Sequence, residues 1–218
     1  MSDWAAHSQR ERERYRDGQD RLPHVDDHDA RQRQLTRMGN AAAGAGIAEL
    51  MGGNTQAARE WFATAVGRYR ESYEHAPPGS WGRPIGMLKA HVLAGDWDGA
   101  AGDAEWTLEQ GAAGAESPIG LYAACLALLV LGRDEEARVL ADGLRTQPDF
   151  ASAVGDALAM LAAQDVIGYI EAIEAVLESF ETRDEYLEDL PVADTVMVLQ
   201  ELAARRGMRA ELTSPLLP

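Results

Sequence analysis

The chain has one cysteine, one lysine and no leader-like start, and each shortage closes off a class of protein. Cys125 has no partner for an internal disulfide, which fits a reducing compartment or no redox role. The longest apolar stretch, Leu121 to Leu131, falls short of the roughly 20 residues needed to cross a bilayer, so no membrane partner is expected. No basic-then-apolar segment opens the chain, so a secretory signal is not expected and a cytoplasmic location is. Runs of Val, Ile, Thr and aromatic residues are scarce, which argues against a sheet. No Gly-x-Ser-x-Gly elbow, Walker loop, dinucleotide fingerprint or zinc-binding helix pattern occurs. No catalytic residue, cofactor or metal is therefore expected, and nothing supports an enzyme.

What is present is helical. Hydrophobic residues make up 46% of 218 positions, enough for a proper core, and alanine is abundant. Three segments look alike: Leu93-Ala-Gly-Asp-Trp-Asp-Gly-Ala100, Val130-Leu-Gly-Arg-Asp-Glu-Glu-Ala137 and, more loosely, Met51-Gly-Gly-Asn-Thr-Gln-Ala-Ala58. Each sets a Gly after an apolar helical run, then a polar residue, then an Ala in the next helix. Glycine adopts the left-handed conformation that ends a helix, and the small Ala allows close packing. Gly53, Gly95 and Gly132 lie 42 and 37 residues apart, the spacing of stacked helix–turn–helix units. The expected fold is all-α, with antiparallel helical hairpins stacked as a superhelix or a compact array.

Residues 1–28 read as a polar, partly helical segment ahead of one all-α domain over 29–218. Arg10, Glu11, Arg12, Glu13, Arg14 and Arg16 read as a solvated helix face. Asp26 to Asp29 supply N-cap chemistry for a helix to Met51. Thr55 is expected to cap a helix whose stripe includes Trp61, Phe62, Tyr69 and Tyr73 and which stops at Pro77-Pro78-Gly79. Helices follow over about 84–94, 97–110, 119–131, 135–146, 150–163, 166–181 and 191–206. The helix over 119–131 is apolar nearly all round, which places it mid-stack. Leu216 and Leu217 are expected to tuck against the last helix.

Residues 119–149 resemble a tetratricopeptide repeat. Gly132 and Ala137 stand at its turn Gly and following Ala, Leu128 fills an aromatic position, and Pro148 falls one residue before its terminal Pro. Trp97 and Ala100 match the turn half of the preceding unit, while Ala124 and Cys125 stand where Leu and Gly are usual. The resemblance implies a curved helical stack whose concave face binds a peptide or protein. The segment from Tyr186 to Gly207, ending in Ser214-Pro-Leu-Leu-Pro218, resembles the end of immunity protein 49 family members of bacterial polymorphic toxin systems. That resemblance implies cytoplasmic neutralisation of a toxin by direct binding, without catalytic residues.

Net charge is −16, and it is uneven. Residues 1–83 hold 12 acids and 12 bases; residues 84–218 hold 24 acids and 8 bases. An acidic surface poor in lysine suits a salt-loving organism, but a uniform adaptation would not split the charge this way. A directed acidic face would, and it repels nucleic acid while attracting basic proteins. Glu181, Asp184, Glu185, Glu188 and Asp189 are the expected partner contact, with Arg183 the only base among them. They read as a surface for a basic toxin domain, or else as a solvated helix end; glycoside hydrolysis and hard-metal binding lack their other parts. Trp81, in a Pro-Pro-Gly-Ser-Trp-Gly loop, is expected to be exposed and to serve as an anchor. His24-Val-Asp-Asp-His-Asp29 has the residue types of a metal site, but Pro23 and the aspartates place it in a capping turn. The function expected is an immunity protein; the alternative is a general tetratricopeptide-like adaptor. The sequence leaves oligomeric state open.

Overall fold

The computed structural model describes residues 3–218. Five helices begin where an Asp or Ser side chain accepts a backbone N–H three residues on, satisfying one of the donors that a helix start leaves unpaired. Asp3 accepts from Ala6 (3.0 Å), Asp27 from Ala30 (2.6 Å), Asp96 from Gly99 (3.1 Å), Ser117 from Gly120 (3.2 Å) and Asp165 from Gly168 (3.1 Å). The described residues form ten α-helices: α1 Trp4–Arg21, α2 His28–Met51, α3 Thr55–Glu74, α4 Gly82–Ala94, α5 Trp97–Glu109, α6 Pro118–Val130, α7 Asp134–Leu144, α8 Ser152–Ala162, α9 Val166–Glu181 and α10 Asp194–Ala204. Three single 3₁₀ turns complete the inventory, and no strand occurs among the described residues. The chain is all-α. None of its described helices is long and apolar enough to cross a membrane.

Several boundaries differ from expectation by one to three residues: α7 ends at Leu144 and α8 begins at Ser152, for example. Asn54, not Thr55, is the cap position of α3, and it makes no side-chain cap bond. α10 starts at Asp194, and at its cap position the Ala193 N–H donates to Leu216 O (3.0 Å). That same bond draws in the C-terminal tail, where Leu216 is buried and Leu217 half-buried.

The glycine corners occur as expected. Gly53, Gly95 and Gly132 have φ of 80°, 69° and 71°. At Gly132 the chain closes a Schellman turn: the Arg133 N–H donates to Leu128 O (2.9 Å) and the Gly132 N–H to Leu129 O (3.2 Å). The same pair of bonds recurs between α8 and α9, where Asp165 donates to Met160 O and Gln164 to Leu161 O. There the left-handed residue is Gln164, at φ 54°.

The contacts group into two units. One runs to Gly95 and takes back Glu185–Val192 and Pro218; the other is Asp96–Asp184 and Ala193–Leu217. The first break between them falls at Gly95–Asp96. In the first unit α2 is the central helix, packed against α1, α3 and α4. Two of its glycines make room for aromatic rings: a Cβ on Gly39 would lie 2.7 Å from Tyr69, and one on Gly46 would lie 2.8 Å from Phe62. In the second unit α5, α6, α7, α8 and α9 each pack on the next, and α10 packs on α8 and α9. Residues 122–130 of α6 are all buried, as an all-round apolar helix requires.

Candidate functional site

α9 carries no Lys or Arg. Glu171, Glu174, Glu178 and Glu181 recur every three or four residues along its exposed side. At its end, Glu181 accepts from Ser214 Oγ (2.7 Å). The one base of the following run turns away from the acids: the Arg183 guanidinium lies 3.7 Å over the Phe180 ring, and its Nε donates to Ser179 O (3.0 Å). This matches the preference of a cation for the negative end of a helix. Glu181, Asp184, Glu185 and Asp189 are exposed.

Glu188 is different, and the chain around it is a built site. Residues 185–192 belong to the first unit, where Glu188 meets α1 and α2. Its carboxylate pairs with Arg14 and accepts from Asn40 Nδ2 (3.0 Å), while its carbonyl accepts from Arg10 Nη2 (2.6 Å). Asn40 Oδ1 in turn accepts from the Tyr69 hydroxyl (3.0 Å). Behind them Glu11 is 0% exposed and takes Arg10 on one oxygen (2.9 Å) and Arg14 on the other (2.8 Å). Burial pushes the Glu11 carboxyl up, against the pull of those two arginines. Glu188 and Asp189 both have positive φ, 56° and 53°, without being glycine. Leu190 is buried beside Gly44, and Leu187 is 75% exposed.

These positions correct three expectations. Glu188 is already ion-paired within its own unit, so the run is not uniformly free for a partner. The segment Arg10–Arg16 is not simply a solvated face, because Glu11 is buried. Trp81 is not an exposed anchor: it is 7% exposed, its ring centroid 6.5 Å from that of Tyr73. The Pro77-Pro78-Gly79 breaker turns the chain back there, with the Trp81 N–H donating to Gly79 O (2.8 Å), so the indole covers α3. Sequence reading missed Arg10, Arg14 and Asn40 because their partner lies about 150 or more residues away in the chain; no local pattern marks it.

The histidine cluster is dispersed. Asp27 is spent on capping α2, and His28 meets His75 of α3, Nε2 to Nδ1, at 3.2 Å. His24 lines an open hollow of about 490 Å³ with Asp17, Asp20, Arg21 and Val25. No group of three metal-ligating side chains occurs among the described residues.

No family model, curated protein or solved structure matches the chain.

Proposed function

We propose that the protein is a non-enzymatic immunity protein that neutralises a cognate bacterial or archaeal toxin by direct binding in the cytoplasm. One observation carries this reading: the charge follows the fold. The second unit holds 21 acids and 7 bases; the first holds 15 acids and 13 bases. The second unit alone therefore carries −14 of the −16, and the base-free exposed side of α9 is its most one-sided element. Such a field speeds encounter with a basic partner and disfavours nucleic acid. The contact residues we assign are the exposed acids Glu181 and Asp184, with Glu185 and Asp189 next in the chain.

The test is protection and binding. A toxin domain encoded beside this gene should be harmless when co-expressed with the chain and lethal without it. Reversing Glu181, Asp184, Glu185 and Asp189 to Lys should weaken binding by about tenfold or more at low salt, with the difference shrinking as salt screens the charges. Equal affinity at every ionic strength would overturn the electrostatic contact. The lack of any toxin gene beside this one would overturn the immunity reading in favour of a helical-repeat adaptor, which the repeated Schellman corners support.

A further inference from the structure

We infer that residues 185–192 form an electrostatic latch: a strap clipped onto the first unit through Glu188 and released when its ionic contacts are screened. The inference is independent of the proposed toxin binding. Three features of the strap point the same way. Its backbone is held where L-residues are disfavoured, at Glu188 and Asp189 in succession. Such a conformation persists only when its surroundings impose it, and here the ionic contacts at Glu188 do so beside the buried Leu190 and Val192. Arg14 and Asn40 fix the Glu188 side chain and Arg10 fixes its carbonyl. The strap's own backbone hydrogen bonds are few and short-range: Asp189 N–H to Tyr186 O (3.1 Å), Leu190 N–H to Leu187 O (3.2 Å) and Val192 N–H to Leu190 O (2.8 Å).

The clamp is also built to be sensitive. The side chains of Arg10 and Arg14 are 40% and 43% exposed, so dissolved ions reach the clamp from the arginine side, although the Glu188 side chain is 14% exposed and Glu11 is sealed. Leu190 against Gly44 and the buried Val192 are its apolar holds, while Leu187 is mostly in water. In the closed state the Glu188 carboxylate is occupied. In the open state it is free, so a basic ligand competes with Arg14 for it.

Hydrogen exchange on the full chain, read by mass spectrometry, tests the latch without any ligand. The reporters are the amides of Asp189, Leu190 and Val192, compared with those of α2 and α3. Raising NaCl from about 0.02 to about 0.5 M should speed the strap amides by about tenfold and leave α2 and α3 unchanged. Arg14→Gln should reproduce the fast exchange at low salt. Glu188→Gln, which keeps the Asn40 contact but not the ion pair, should fall between. Strap amides indifferent to salt and to both substitutions would overturn the latch. So would strap amides that open only together with α2 and α3, which would make the clamp an ordinary part of that unit's fold.

Discussion

Tyr69 lies between two glycines, Gly39 of α2 and Gly86 of α4, and each would place a Cβ 2.7 Å from its ring. These glycines matter for the space they leave, not for their backbone freedom. Gly86→Ala should therefore destabilise by about 1–3 kcal/mol, the usual cost of overpacking a close contact. Gly102→Ala is the control: it sits in α5 with nothing within 4 Å of a new Cβ, and should instead stabilise by about 0.5–1 kcal/mol. Urea denaturation of both variants separates the two roles. The sequence shows all these glycines alike. Which of them face a ring is not legible, because the ring comes from another helix.

The corners between helices show the same division at the next scale. Gly53, Gly95 and Gly132 could be read directly, since only glycine takes the left-handed conformation freely. The corner at Gln164 could be placed between two helical patterns but not assigned to its residue. Gln164 Nε2 donates to Asp134 Oδ2 (3.0 Å), which ties this turn to the start of α7. Asp134 also meets Arg206, just beyond α10, whose Nη2 reaches the Leu129 carbonyl at the end of α6 (2.7 Å). The Arg206 side chain is 9% exposed, so Arg206→Ala leaves Asp134 with Gln164 alone and the carbonyl with Gly132 alone, and should cost about 1–3 kcal/mol. Burial alone would raise the Asp134 carboxyl, but hydrogen bonds from Arg206 and Gln164, with the Arg206 charge, outweigh it and hold the group below its ordinary value. Its folded value being depressed, the stability it contributes is present at neutral pH. That stability is lost as the pH falls through the region below 3.8. Asp134→Asn should be less stable at neutral pH and should flatten that acid limb; an unchanged limb in acid-unfolding curves would count against this assignment.

Across the molecule, charge and burial oppose each other in the second unit. With 21 acids against 7 bases its folded state repels itself, and salt should relieve that repulsion. Cys125 supplies the probe: it is fully buried in α6, with its thiol pushed up to about 12 by burial. It should react with an aromatic disulfide reagent only through unfolding of its unit. Added NaCl should slow that labelling, while the same salt loosens the strap of the first unit. Labelling that is fast at low denaturant, or that quickens with salt, would contradict the placement of Cys125 or the self-repulsion. The charge split between residues 1–83 and 84–218 was legible as an approximation to the two units. It missed that 185–192 returns to the first unit, because chain order does not record where a segment packs.

Sequence alone determined the helices, the cap of α2, the glycine corners, the buried α6 and the sign and asymmetry of the charge. These are local or additive properties: a cap acts over three residues, a helical stripe over a few turns, and net charge simply accumulates. Tertiary structure alone decided which charges remain free. Arg10 reaches the carbonyl of a residue 178 positions later, Glu11 is sealed between two arginines, Trp81 is covered and His28 meets His75. Burial and ion pairing depend on neighbours that only folding brings within a few ångströms, and the interaction energy of two charges rises steeply at that range once water is excluded.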